Sequence, residues 1–188
     1  DQTARDMLSN LYLRFIEDEM RVLDLMSSWH SHLPAGVRLN QLTGLGLNGD
    51  ELRNNPALSE RIVQDLNEEP ELDLADGSFD AVLCALSIEY LTNPEAIFDE
   101  VARVLAPEGV FVVSFSNRWF PPKAIRIWPC LHEFERMGLV LDYFQKNQKY
   151  EGLGTYSLRG LPRPQGDKYA SSLVYSDPLY AVWGRKRP

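Results

Sequence analysis

Apolar residues recur along this chain with two spacings, one typical of helices and one typical of strands. From Ala4 to Met20 they fall at three- and four-residue steps, which predicts an amphipathic helix packed against a sheet. Short apolar runs bounded by turn residues predict seven strands. The predicted strands are 21–25, 37–46, 62–66, the start of 79–91, 109–117, 150–158 and 179–184.

Helix signals separate several of these strands. Asn93 suits an N-cap and Pro94 the first helical position, and the apolar stripe that follows predicts a buried helix. A short polar helix is expected to end at Pro56, and 124–144 predicts a helix interrupted at Pro129. Strands that alternate with helices indicate an α/β fold with a mainly parallel sheet and helices on both faces.

Composition narrows the class of protein. A chain of 188 residues with 44% hydrophobic content is long enough for one buried core and predicts a single domain, 1–188. The net charge of -8 argues against a nucleic-acid partner. No apolar run approaches the roughly 18 residues of a membrane span, so no membrane partner is expected. Cys84 and Cys130 form no metal or disulfide motif, which favours a reducing, cytoplasmic location.

One long run of sequence resembles a known family. From Ile62 to Asn117 the motifs IVQDL, DGSFD and NPEAIFDEVARVLAPEG, followed by VFVVSFSN, resemble the class I S-adenosylmethionine-dependent methyltransferases, in the small-molecule group called type 11. Weaker similarity extends back to Val22 and forward to the closing DPLYAVWGRK. The resemblance implies a Rossmann-like fold whose seven-stranded sheet is mostly parallel, with an antiparallel last strand beside 110–116. It also implies an N-terminal helix (1–20), a cofactor-binding core (21–117) and a substrate-side part (118–188).

The chain departs from the family at the loop after the first strand. The family has an acidic residue followed by Gly-x-Gly, whereas VLDLMSSWHSH has Asp24 at the acidic position and then Met26, Ser27 and Ser28. Glycine permits positive φ and close backbone approach, and a side chain at such a position costs about 1 kcal/mol. The sequence therefore leaves open whether the loop has changed its chemistry or the fold has lost its cofactor.

After the next two strands, one of the family's two acidic residues is absent and the other is present. At the end of the second strand the family has an acid that binds the ribose hydroxyls, and here Gly46 takes that position, with Asn48 two residues on. Asp65 matches the acid that accepts a hydrogen bond from the adenine amino group. The resemblance thus implies an S-adenosylmethionine site formed by Asp24, Met26, Ser27, Ser28, Asn48, Asp65, Leu66, Cys84 and Leu86.

Residues after the fourth and fifth strands are candidates for the chemistry. Glu89 and Tyr90 follow the fourth strand, where a carboxylate or phenol could orient a methyl acceptor or take its proton. The candidate substrate ligands, which follow the fifth strand on the same rim, are Asn117, Arg118 and Trp119. His30 and His32 lack further ligands, so no metal site is expected.

Two functions from different classes follow from these observations. The first is an S-adenosylmethionine-dependent methyltransferase that acts on a small molecule by in-line transfer, driven mainly by positioning the two reactants. The alternative is a catalytically inactive methyltransferase-like binding or interaction protein, which the altered loop favours. A dinucleotide oxidoreductase ranks third, because no GxGxxG motif follows a strand.

Overall fold

A computed structural model describes residues 1–188. Its helices and strands are α1 Gln2–Tyr12, β1 Arg21–Leu25, β2 Gln41–Gly46, α2 Gly49–Arg53, β3 Glu60–Val63, β4 Phe79–Ala85, α3 Pro94–Val104, β5 Leu105–Phe115, α4 Glu133–Asn147, β6 Tyr150–Leu158 and β7 Leu179–Lys186. Single 3-10 turns lie at Ile88–Tyr90 and Trp128–Cys130. No helix is both long and apolar enough to cross a bilayer.

The seven strands form one sheet in the order β3-β2-β1-β4-β5-β7-β6. β1 to β5 pair in parallel, and β7 runs antiparallel to both β5 and β6. The predicted α/β fold is therefore confirmed, including the position of the last strand beside β5. The strand order reverses between β1 and β4, and ligands of open α/β sheets bind beyond the carboxyl ends of the strands at such a point.

Successive residues of the central strands enter two different cores. Val22 packs with α1 on one face of the sheet, and Leu23 packs with α3 and α4 on the other. This alternation follows from the two-residue period of a strand, and it explains the near-continuous apolar runs. Burying both faces holds the sheet rigid beneath its carboxyl edge.

Local signals set some boundaries and tertiary packing sets others. The Asn93 side chain accepts a hydrogen bond from the Ala96 N–H and begins α3, as predicted. α1 is shorter than the predicted 4–20, because the chain must turn back into β1 and Glu19 adopts a φ of 66°. β3 ends at Val63 rather than at residue 66, so Asp65 follows the strand.

The connection between β1 and β2 contains no helix. Residues 26–40 run as turns and irregular chain, and Gly36 has a φ of 91° two residues after Pro34. Neither residue suits a helix interior. The loop after β1 therefore depends on side-chain contacts, which are described next.

Candidate functional site

A cavity of about 940 Å³ opens at the carboxyl edge of the sheet. It receives residues that follow each of the five parallel strands, which is the arrangement that the strand order predicts. Its lining is Met26, Ser27, Ser28, Trp29, Leu45, Gly46, Leu47, Asn48, Gly49, Glu51, Gln64, Asp65, Leu66, Asn67, Ser87, Tyr90, Phe120 and Lys123. Ligand pockets of proteins span about 300–1,000 Å³, so the glycine-free loop leaves room for a ligand.

The loop after β1 begins with a strained residue. Met26 has a φ of 59°, the left-handed conformation for which the family uses glycine. Ser27 N–H then donates to the Leu45 carbonyl at 2.8 Å, which ties the loop to β2. The backbone at residue 26 therefore has the conformation of a glycine turn, although the residue is methionine.

Asp24 stabilises this loop through a hydrogen bond. Its carboxylate accepts a hydrogen bond from the Ser27 hydroxyl at 2.6 Å, and only 2% of the residue is exposed. Burial raises the pKa of Asp24 to about 6, and hydrogen bonds from Ser27 and Ser31 partly oppose that rise. Asp24 does not line the cavity, so in this structure it positions the loop and does not face a ligand.

Asn55 anchors the far side of the same loop. It is buried, and its amide donates to the Ser28 carbonyl at 2.9 Å and to the Ser31 hydroxyl at 3.0 Å. No sequence motif pointed to Asn55, which precedes Pro56 at the end of a predicted short helix. These two contacts anchor the irregular chain that follows β1.

Gly46, at the end of β2, lies against the backbone of this loop. A Cβ built on Gly46 would stand 2.3 Å from the Ser27 carbonyl oxygen. Real Cβ atoms essentially never approach a backbone atom so closely, so the loop and a side chain at residue 46 exclude each other. The family's ribose-binding acid therefore has no room at this position.

A carboxylate from α2 lies next to the blocked position. Glu51 lines the cavity, accepts a hydrogen bond from the Ser28 hydroxyl at 2.5 Å and accepts another from the Asn48 amide at 3.1 Å. Sequence reasoning missed Glu51 and selected Asn48. The available signal was an acid in the first turn after a strand that had lost its terminal acid.

Asp65 and Leu66 form the wall of the cavity beyond β3. The Asp65 carboxylate caps its own turn by accepting the Asn67 N–H at 3.0 Å. It takes part in no ion pair, so lone pairs remain free to accept from a ligand. Leu66 and the exposed Leu47 supply apolar surface in the same cavity.

Tyr90, Phe120 and Lys123 form the opposite wall. The Tyr90 hydroxyl accepts the Phe120 N–H at 3.0 Å. Burial raises the pKa of Tyr90, and the nearby Glu89 carboxylate adds to the rise while the Phe120 N–H opposes it. Phe120 is 68% exposed at the rim, and Lys123 is the one cationic residue in the lining.

The structure brings together most of the residues predicted to bind the cofactor. Those that line the cavity are Met26, Ser27, Ser28, Asn48, Asp65 and Leu66. Asp24, Cys84 and Leu86 do not line it. Cys84 is fully buried in β4, and burial raises the pKa of its thiol, while Leu86 has a φ of 55° and lies beside the cavity lining.

The predicted substrate ligands lie outside the cavity. Arg118 pairs with Asp177 at 3.3 Å and stacks over Tyr169, so its charge is already engaged. Asn117 is exposed beyond the lining. Trp119 packs against the core, where the Arg136 guanidinium lies 4.2 Å from its ring centroid. Of the loop after β5, Phe120 and Lys123 are the residues that line the cavity.

Glu89 is also withdrawn from the cavity. It is 1% exposed, and one of its carboxylate oxygens has no hydrogen-bond partner. Burial raises the pKa of Glu89 to about 7, and its backbone carbonyl accepts the Ile125 N–H at 2.9 Å. In this structure Glu89 supports the loop after β5, and Tyr90 is the member of the pair that faces the cavity.

Comparison with known proteins agrees with this architecture. The sequence model of a family described as a methyltransferase domain matches residues 32–113, less than half of the chain. No curated protein sequence matches the chain. One similar solved structure is a methyltransferase complexed with the Haloferax volcanii Trm112 methyltransferase activator, with a TM-score of 0.70 and 16% identity over 100% of this chain and 93% of that chain. A second is a SAM-dependent methyltransferase from Archaeoglobus fulgidus, with a TM-score of 0.66 and 13% identity over 98% of this chain and 94% of that chain. A third is the [4+2]-cyclase SpnF, with a TM-score of 0.67 and 16% identity over 99% of this chain and 82% of that chain.

These likenesses confirm the resemblance to the class I S-adenosylmethionine-dependent methyltransferases that the motifs indicated. The protein has the fold of that class, and the methyltransferase-domain model matches part of its sequence. One of the three similar structures carries the name of a cyclase. The fold alone therefore does not define the reaction, which has to be argued from the cavity.

Proposed function

We propose that this protein transfers a methyl group from S-adenosylmethionine to a small molecule bound in the cavity at the carboxyl edge of the sheet. The observation that carries the proposal is Asp65, a carboxylate in no ion pair, in a cavity that also contains the loop after β1. This is the acid that the family uses for the adenine amino group. The cavity therefore keeps the adenine end of the site although the loop sequence has changed.

The lining residues fit such a cofactor in their chemistry. Asp65 would accept the adenine amino group, and Leu47 and Leu66 would cover the faces of the base. The backbone and hydroxyls of Ser27 and Ser28 would face the amino-acid end. S-adenosylmethionine supplies a methyl group on a positively charged sulfur, which an O, N, S or C nucleophile can attack.

The chain's own contribution to the reaction is to orient the acceptor and exclude water. Tyr90 keeps its proton at neutral pH, as an ordinary phenol does and as its raised pKa reinforces, so its hydroxyl can donate a hydrogen bond to an acceptor oxygen or nitrogen. Phe120 and Trp29 flank the mouth with exposed aromatic surface. Holding two reactants in line supplies much of the rate enhancement in such a reaction, so no dedicated base is required.

The enclosure of the cavity and the net charge of the protein support a small-molecule acceptor. The cavity is bounded by five loops, and the protein carries a net charge of -8, which would repel a nucleic-acid backbone. The predicted functional division into 1–20, 21–117 and 118–188 stays a prediction; in it, Tyr90 belongs to the core and Lys123 to the substrate side.

A second candidate function is a binding protein of the same fold that performs no transfer. The blocked position at Gly46 favours it, because the end of β2 cannot carry the family's ribose-binding acid. Thermal unfolding tests whether the protein binds the cofactor product at all. S-adenosylhomocysteine at 100 times its dissociation constant should add about 2.7 kcal/mol to the free energy of unfolding, and NADH at the same concentration should add nothing. Equal stabilisation by both compounds, or by neither, would contradict the proposed function.

A further inference from the structure

The end of β2 cannot supply a ribose-binding acid in this chain. Gly46 occupies that position, and the Ser27 carbonyl fills the space where its Cβ would be. A carboxylate for the ribose hydroxyls, if one is present, must come from another element. The acidic residues in the cavity lining are Glu51 and Asp65, and Asp65 follows the more distant strand, β3.

Asn48 is already used within its own turn. Its side-chain oxygen accepts the Asp50 N–H at 2.9 Å and the Glu51 N–H at 3.4 Å, which makes it the N-cap of α2. Its amide group donates to the Glu51 carboxylate. Asn48 therefore has little free capacity to bind a pair of hydroxyls, and the sequence-based choice of this residue is not supported.

Glu51 has the capacity that Asn48 lacks. Each of its two carboxylate oxygens accepts one hydrogen bond, from Ser28 and from Asn48 respectively. A carboxylate offers about four lone-pair positions, so about two remain. Glu51 forms no salt bridge, and its two donors hold its side chain at the wall of the cavity that Gly46 also lines.

We propose that Glu51 binds the two ribose hydroxyls of the cofactor, in place of the acid that Gly46 has displaced from the end of β2. This inference rests on the proposed function. In this arrangement Ser28 and Asn48 are positioning residues, because they orient Glu51. The loop after β1 and the ribose acid then form one unit, in which Ser27 blocks the former position and Ser28 holds the new carboxylate.

A site built to bind hydroxyls should discriminate against a ligand that lacks them, because its carboxylate would lose those partners. Calorimetric titration with adenosine and 2′,3′-dideoxyadenosine measures this directly in the wild-type protein. We expect adenosine to bind at least about 10-fold more tightly. Glu51→Gln should weaken adenosine by about 10-fold and leave dideoxyadenosine unchanged.

Asp50→Asn is the matched control. Asp50 lies on the same turn of α2, pairs with Arg53 and does not line the cavity, so this variant should bind both nucleosides like the wild type. Equal wild-type affinity for the two nucleosides, or equal weakening of both by Glu51→Gln, would overturn the assignment of Glu51. Titration with S-adenosylhomocysteine separates the two failures: if it binds, only the role of Glu51 is wrong, and if it does not, the proposed function fails as well.

Discussion

The backbone carbonyl of Ser27 lies where the side chain of residue 46 would begin, 2.3 Å from a Cβ built on Gly46. The two departures from the family, a loop without glycine and a strand end without its acid, are therefore coupled. A side chain at residue 46 would displace the loop, and the loop in its present position requires glycine at residue 46. Considered separately, each departure suggests a lost contact, whereas together they describe a rearranged site.

The first prediction concerns that close contact. Gly46→Ala should destabilise the protein by about 1–3 kcal/mol, because the added methyl group meets a backbone atom that cannot move without shifting the loop. Gly138→Ala is the control, since Gly138 is exposed in α4 with no atom within 4 Å of its Cβ position. Alanine is the better helix former, so this variant should gain about 0.5–1 kcal/mol. Urea unfolding measures both, and equal stability of the two variants would contradict the contact.

Met26 provides a test of the loop's backbone conformation. Met26→Gly and Met26→Ala remove nearly the same packing, but only glycine relieves the φ of 59°. The glycine variant should therefore be more stable than the alanine variant by about 1 kcal/mol. The comparison uses differential scanning calorimetry of the two variants. A more stable alanine variant would mean that residue 26 is not in the left-handed region in solution.

Asp24 should make stability depend on pH. Its pKa is raised from 3.8 to about 6, so between these values the folded protein holds a proton that the unfolded chain has lost. Burial of His32, which lowers its pKa to about 4, makes stability rise with pH in this range. The contribution of Asp24 to the free energy of unfolding has the opposite sign: it falls as the pH rises from about 4 to 6, and the loss is complete above that range. Asp24→Asn should remove this contribution and raise stability at pH 7.5 by on the order of 1–3 kcal/mol.

Glu89 contributes to the same titration at higher pH, because its pKa is raised to about 7. The measurement is thermal unfolding of wild type, Asp24→Asn and Glu89→Gln from pH 4 to 8. The difference in stability between Asp24→Asn and the wild type should grow as the pH rises from about 4 to 6, and the difference between Glu89→Gln and the wild type should grow up to about pH 7. An Asp24→Asn variant with the wild-type pH profile would show that Asp24 is not buried as a carboxyl group.

Asp65 should determine affinity at the adenine end. Asp65→Ala is expected to weaken S-adenosylhomocysteine by about 10- to 150-fold, the equivalent of a hydrogen bond to a charged group of about 1.5–3 kcal/mol. Glu68→Ala is the control, because Glu68 is exposed in the same loop and does not line the cavity. Titration calorimetry measures affinity, and melting temperatures verify the fold. Unchanged affinity in Asp65→Ala would mean that the adenine binds elsewhere.

Local patterns predicted much of the fold. β1, β6 and the N-cap of α3 are where the sequence predicts them, because alternation and capping depend on neighbouring residues. The end of α1 and the start of β2 at Gln41, rather than at residue 37, were not predicted. Their conformation depends on how the chain must turn to join the sheet, which no window of sequence contains.

The site was predictable to the extent that it follows strand ends. Asp65, Ser27 and Tyr90 enter the cavity because parallel strands bring their carboxyl ends to one edge. Glu51 and Asn55 were missed, since each acts through a contact with the loop after β1 that is more than 20 residues away in sequence. Arg118 was predicted to bind substrate, and its pairing with Asp177 could not be foreseen because Asp177 is also distant in sequence.

The most direct test of the proposed site is a crystal structure of the protein grown with S-adenosylhomocysteine. We predict that the ligand occupies the cavity, with the adenine amino group about 3 Å from the Asp65 carboxylate and the homocysteine end beside Ser27. The melting temperature of the same sample should rise with ligand concentration. A ligand bound outside this cavity, or a cavity left empty at a concentration that raises the melting temperature, would contradict the account.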